Sequence, residues 1–351
     1  MANGKTVFVV GAGASFEMGL PVGAKLKEQI SSMLKIQPHE PWDQPRIKNN
    51  EIFDALRIAA SWGRSEFELQ KTVRAAGDIA HALPLTLSID NYLNNHNSDE
   101  AIELCGKLAI ARAILAAEAG STLRKSLSQG RYDFSKCADS WLTPFVQFLS
   151  EDCNLNKLRD RLGRVAFIVF NYDRCIEQFL MHAVMAIYKV AEEVASEIVS
   201  KVEIYHPYGT VGTLNWDTAK RSDNEIVAFG EVPTPQQLLK VIRGIKTFTE
   251  GTDDRISEIM AIRSLMETAS RIVFLGFAYH KLNIRLLLGD NPIIAEKTRP
   301  VFGTAYGMSL SDTQLVADGL GSVLNAPSIA VRNDLTCCKL FSEYSRTLNF
   351  V

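Results

Sequence analysis

A chain of 351 residues is long enough to bury about three quarters of its unfolded surface, so it needs no disulfide or metal staple and suits one large domain or two modest ones. With 46% hydrophobic and 22% charged residues it is too apolar for intrinsic disorder. Thirty-eight Lys plus Arg against 40 Asp plus Glu leave a net charge of -2, which provides no global footprint for nucleic acid or an anionic membrane, and direct binding to either is not expected.

The first apolar run, residues 6–10, is rich in β-branched residues and reads as a strand covered on both faces. Gly11-Ala12-Gly13-Ala14-Ser15 follows directly, with Gly19-Leu20-Pro21 and a helical pattern over residues 23–34. Glycine at such a turn lets backbone N–H groups approach a phosphate, whose charge the next helix N-terminus favours. The full dinucleotide fingerprint fails because Phe16 fills the third glycine position, so a plain strand-to-helix turn fits the same residues.

From about residue 30 to about residue 160 almost no strand-like run occurs, and the segment reads as mainly helical, including a pattern over residues 101–127. A βαβ crossover needs only a few dozen residues. The expected organisation is therefore a Rossmann-like core of residues 1–34 and 160–351, with residues 35–159 forming a helical insertion in a separate layer. Within the insertion, Ser88-Ile89-Asp90-Asn91-Tyr92-Leu93 offers Ser88 and Asp90, which serve equally well to cap a helix.

Residues 165–170 form the most apolar strand pattern and end in Asn171-Tyr172-Asp173, before a helical pattern over residues 175–199. At the carboxyl end of a parallel strand such a triplet borders the ligand crevice, although taken alone it reads first as a helix cap. A weaker strand candidate, residues 201–205, leads into Tyr205-His206-Pro207-Tyr208-Gly209. A histidine held before a proline at a strand end can exchange protons near neutral pH, yet a lone histidine is more often structural. A helical pattern over residues 253–269 precedes the strand pattern 271–277, which carries Leu275-Gly276-Phe277 and is followed by His280 and Asn283. A short helical pattern at 311–317 and a strand pattern at 328–331 complete the alternation, which argues an α/β fold with a mostly parallel sheet.

The six cysteines include no C-x-x-C pair, and adjacent Cys337 and Cys338 do not suit one zinc site, so free thiols in a reducing compartment and no bound metal are expected. No stretch reaches the ~20 apolar residues of a membrane span. Residues 6–16, rich in Gly, Ala and Ser and ended by Glu17, read as strand and turn and not as a signal peptide, which suits a cytoplasmic protein.

Taken in order, G-A-G-A-S with G-L-P, S-I-D-x-x-L, N-Y-D, H-P-Y-G and L-G-F resemble the sirtuin-like family, in particular the prokaryotic sirtuin-like effectors of anti-phage defence, whose relatives include subunits paired with a HerA-type ATPase. The resemblance implies a Rossmann-like parallel sheet of sirtuin type that takes NAD as a substrate. It implies cofactor contacts from Gly11, Ala12, Gly13, Ala14, Ser15, Leu20, Pro21, Asp90, Gly276, Phe277 and Asn283, and catalytic roles for Asn171, Asp173 and His206. Sirtuin deacylases carry a four-cysteine zinc module that this sequence cannot supply, so NAD hydrolysis to nicotinamide and ADP-ribose is the expected activity. A non-catalytic NAD-binding scaffold subunit and an NAD-dependent deacylase remain the alternatives. The resemblance further implies a homo-oligomer or a partner such as a HerA-type ATPase that restrains the activity.

Overall fold

The structure is a computed structural model that describes residues 4–38, 45–61, 66–125, 127–128, 131–217, 225–247, 257–289, 298–324, 326 and 328–350. Its strands in chain order are β1 (Thr6–Val10), β2 (Leu127–Ser128), β3 (Arg131–Tyr132), β4 (Val165–Val169), β5 (Glu203–Tyr205), β6 (Arg271–Leu275), β7 (Pro300–Thr304) and β8 (Ser328–Arg332). Six of them form one parallel sheet in the order β5-β4-β1-β6-β7-β8, and β2 and β3 make a small antiparallel pair. Counting only the strands of the large sheet, the order is third, second, first, fourth, fifth, sixth. This is the doubly wound arrangement, in which the direction of winding reverses between β1 and β6. The fold is α/β and Rossmann-like.

Every residue of β1 and β4 is buried, as continuous apolar runs require when helices cover both faces. Val7, Val9, Ala166, Ile168, Ile272 and Phe274 point to one face, where helices Gly23–Leu34, Glu66–Ala82, Glu100–Gly120 and Ser257–Thr268 pack. Phe8, Val10, Phe167, Val169, Val273 and Leu275 point to the other, against helices Leu142–Ser150, Cys175–Tyr188 and Cys337–Glu343. On that second face Phe8 stacks on Phe167 at 5.3 Å and meets Phe145 edge-on at 5.4 Å.

The strand-poor segment between β1 and β4 is mainly helical, with β2 and β3 as its short strands among the described residues. It does not form one separate layer. Within residues 35–159 the helices up to Gly120 pack on the first face and Leu142–Ser150 and Leu155–Leu162 on the second, because both faces of the β1–β4 pair need apolar cover. The helical pattern at 101–127 starts at Glu100, capped by the Asp99 carboxylate, and ends at Gly120 before a short turn of helix. The pattern at 175–199 divides into Cys175–Tyr188 and Glu192–Val199, since Lys189 adopts a left-handed φ of 51°. The pattern at 253–269 is seen as Ser257–Thr268, residues 253–256 lying outside the described residues. The pattern at 311–317 extends to Leu310–Leu324. Among the described residues no helix is long and apolar enough to cross a membrane.

One buried ion pair fixes the helical segment to the sheet. Arg174, just after β4, donates through its backbone N–H and its Nε to Glu118 Oε1, each at 3.1 Å, and through Nη1 to the Val227 carbonyl at 2.6 Å. The side chains are 2% and 0% exposed. Burial pushes the Glu118 carboxyl up and the Arg174 guanidinium opposes it. Glu118→Ala leaves a buried guanidinium without its carboxylate, and urea denaturation is expected to show a loss of ~3–5 kcal/mol. A loss below ~1 kcal/mol would show that Arg174 finds adequate partners without Glu118.

Candidate active site

The carboxyl ends of β5, β4, β1 and β6 lie side by side and gather the sequence motifs at one edge of the sheet. Here β1 runs through Gly11 into the short helix Ala12–Phe16, and β6 runs into Gly276. The Gly11 N–H donates to the Leu275 carbonyl at 2.9 Å and the Gly13 N–H to the Gly276 carbonyl at 3.0 Å. A Cβ on Gly11 would lie 2.6 Å from the Gly276 oxygen, and one on Gly13 would lie 2.8 Å from the Gly276 Cα. Gly276 itself has φ 56°, and a Cβ there would lie 2.0 Å from the Ala14 nitrogen. These glycines are therefore required by the crossing of two protein backbones, a constraint distinct from the phosphate approach expected from sequence. The Ala14 N–H is bonded to the Gly11 carbonyl at 3.0 Å, so the N–H groups of Gly13 and Ala14 are both committed within the protein.

Asn171 is the second residue after β4 and is buried. Its Nδ2 donates to the Gly11 carbonyl at 3.0 Å and to Ser15 Oγ at 2.9 Å. A backbone carbonyl accepts only, which fixes the amide orientation and leaves Oδ1 as the acceptor Asn171 can offer a ligand. The cap role falls to Asp173, whose Oδ1 accepts the Cys175 N–H at 3.1 Å at the start of helix Cys175–Tyr188. Burial pushes the Asp173 carboxyl up, opposed by hydrogen bonds from Cys175 and the Ser15 hydroxyl and by His206 nearby. Asp173 is thus tied into the turn, through Ser15, and is not turned toward open space: it is 4% exposed.

His206 directly follows β5 and is also buried. Its Nδ1 lies 3.1 Å from the Asn171 carbonyl and its Nε2 lies 3.0 Å from Glu177 Oε1. Glu177 belongs to no motif that the sequence displays. The trace it leaves is a carboxylate four residues after Asp173, on the stripe of helix Cys175–Tyr188 otherwise filled by Cys175, Ile176, Phe179, Leu180 and Val184. An acid on such a stripe needs a partner, which is the signal that could have found it.

The other expected site residues fall in three groups. Asp90 accepts a hydrogen bond from the Tyr172 hydroxyl, and burial pushes its carboxyl up. Ser88 caps the helix Ile89–Asn95 through the Asn91 N–H at 3.0 Å. Asn283 Oδ1 accepts from the Tyr208 hydroxyl at 2.6 Å, and Phe277 meets Phe170 edge-on at 5.1 Å. The S-I-D, N-Y-D, H-P-Y-G and L-G-F motifs are thereby linked by side-chain contacts. Leu20 is 2% exposed within the apolar cluster around Phe8 and Met18, so its place is the core under the turn, while Ala12 and Pro21 are half-buried.

A cavity of about 300 Å³ adjoins the histidine on the β5 side, bounded by His206, Glu177, Thr210, Thr213, Lys246 and Glu258 among others. Lys246 pairs with Glu258 at 2.9 Å across its wall. Among the described lining residues are none of the glycine turn and not Asn171, so His206 stands between the turn and the cavity. Among the described residues no group of three or more His, Cys, Asp or Glu is placed to hold a metal ion. Compared with known proteins, the chain matches no family model and no curated protein.

Two outcomes follow from this geometry. Gly276→Ala must adopt a left-handed φ and push its methyl into the Ala14 nitrogen, so thermal unfolding should show a loss of at least ~2 kcal/mol, and an unchanged melting temperature would mean that the two turns do not cross so closely. For Asp173 the folded-state pKa lies above the unfolded value, so stability is greatest below the unfolded pKa and declines as pH rises through the folded one. Asp173→Asn keeps an acceptor for the Cys175 N–H and removes the buried charge. Its melting temperature relative to the parent should therefore rise as the pH is raised above about pH 4, and a fall would show that the charge itself is needed.

Proposed function

We propose that the chain is an NAD hydrolase that cleaves the bond between nicotinamide and ribose to release nicotinamide and ADP-ribose. The observation that carries this reading is the direct linkage of Asn171 and His206 to the glycine turn, which stands at the switch point of a doubly wound sheet, where nucleotides characteristically bind. The order of the motifs, which resembles the sirtuin-like family, supports the choice of NAD.

Cleavage places positive character on the ribose as a neutral base departs, and groups aimed at that charge accelerate it. Asn171 contributes Oδ1 as an acceptor for a ribose hydroxyl, its Nδ2 being held by Gly11 and Ser15. His206 exchanges the proton of the attacking water. Asp173, bonded to Cys175 and Ser15, holds the turn beside Asn171. In the same reading the chain acts in the cytoplasm as an anti-phage effector through NAD depletion, restrained by homo-oligomerisation or by a partner such as a HerA-type ATPase.

A second reading, a non-catalytic NAD-binding scaffold, is favoured by one observation: both His206 nitrogens already have partners within the protein. The two readings part on one set of samples. Asn171→Ala and His206→Ala are each expected to lower nicotinamide release by at least ~10²-fold per folded molecule, with the double variant scarcely worse than either single one. Asn171→Ala also loses two buried hydrogen bonds and should be less stable by ~1–3 kcal/mol, so activity is normalised by thermal unfolding. NAD bound by the parent in calorimetry with no nicotinamide released would establish the scaffold instead.

A further inference from the structure

The His206–Glu177 contact has a geometry that assigns a role to each atom. Nδ1 faces the Asn171 carbonyl at 3.1 Å, and since a carbonyl can only accept, Nδ1 carries a hydrogen. Nε2 faces a carboxylate oxygen at 3.0 Å, a separation that requires one proton between the two atoms, because two lone pairs would repel. Both side chains are 7% exposed. The ring is therefore clamped at both ends, once by main chain and once by Glu177.

An acid buried in the apolar stripe of helix Cys175–Tyr188 costs stability unless it is paired, and its position in the first turn favours the carboxylate. A pair that served packing alone would be sealed by apolar side chains. This one forms part of the wall of the 300 Å³ cavity, beside Thr210 and Thr213, whose hydroxyl-bearing side chains suit water. We infer that Glu177 is a positioning residue: its carboxylate holds the His206 ring in place and shares one proton with Nε2, so that the pair meets the reacting groups in a single ring orientation. This inference rests on the NAD-hydrolase reading for its catalytic consequence and on the contact geometry alone for the pairing. The role resembles in kind that of any carboxylate that orients a catalytic imidazole.

The test uses the full chain, the parent and two variants, Glu177→Gln and Glu177→Asp, with nitrogen-15 labelled histidine. The Gln amide can donate to Nε2 where the carboxylate could only accept, so in Glu177→Gln the Nε2 resonance of His206 should move to the range of an unprotonated ring nitrogen while Nδ1 stays. With NAD as substrate, kcat for nicotinamide release should fall at least ~10-fold with KM within about 2-fold, and Glu177→Asp should recover part of kcat. Thermal unfolding of the same samples removes the contribution of misfolded protein. A kcat that falls only in proportion to the folded fraction, with Asp no better than Gln, overturns the positioning role. An active parent whose Nε2 signal ignores residue 177 overturns the pairing. A parent that releases no nicotinamide while its Nε2 signal answers to residue 177 overturns the hydrolase reading, and with it the role of Glu177 in that reaction.

Discussion

The site rests on a contact in which no side chain takes part, the crossing of the turn after β1 over the turn after β6. Gly11 and Gly13 meet Gly276, far away in sequence, where an added carbon on any of the three would lie 2.0–2.8 Å from another main-chain atom. Two N–H···O=C bonds hold them in that position. From there a line of hydrogen bonds runs across the sheet in spatial order. Gly276 beyond β6 holds Gly13 beyond β1, the Gly11 carbonyl receives Asn171 beyond β4, and the Asn171 carbonyl receives His206 beyond β5. Because each link begins within three residues of a strand whose register is fixed by the parallel ladder, the sheet sets the spacing of the relay.

Around the relay lie four carboxylates, Glu118 and Asp173 buried and Asp90 and Glu17 half-buried, each given a different solution to the cost of desolvation. Glu118 meets a guanidinium, Asp173 a hydroxyl and a backbone N–H, and Asp90 a phenol. Glu17, beyond the glycine turn, accepts the N–H groups of Trp141 at 2.8 Å and Cys338 at 3.0 Å, which ties the turn to the starts of two helices on the second face. In all four the desolvation of the carboxyl is the largest influence and raises its pKa. Such groups add little net stability, but a network in which every acceptor is aimed leaves few alternative arrangements for the turn it surrounds.

Much of this frame is legible in the sequence, and the exceptions have physical causes. β1, β4 and β6 stand out because burial on both faces demands unbroken apolar runs. β7 does not, since it begins at Pro300 and contains Gly303, residues that ordinarily punctuate strands. Gly303 is there because a Cβ would meet the Tyr279 hydroxyl at 2.4 Å, a contact no local pattern records. The polar ends of β4 and β5 are legible as motifs, and Asn171 and His206 do come together. The partner of His206 is not legible as a motif, because Glu177 is read along a helix as one more charged residue and declares itself only when the helix face is known to be buried. The Glu118–Arg174 pair is harder still, its members lying 56 positions apart with Glu118 near the end of a helix rich in alanine.

The division between main-chain and side-chain contacts also separates two kinds of function within the site. The Gly13-to-Gly276 and Gly11-to-Leu275 bonds are main chain on both sides and hold whatever the side chains are, whereas the Gly11 and Asn171 carbonyls receive the Asn171 amide and the His206 ring. Side-chain atoms enter through the Asn171 amide, the Ser15 hydroxyl, the His206 ring and the Glu177 carboxylate. A site so built can alter what it does to a bound molecule by changing residue 177 without moving the turn that holds the sheet's two halves together. It cannot change the turn without moving everything that hangs from it.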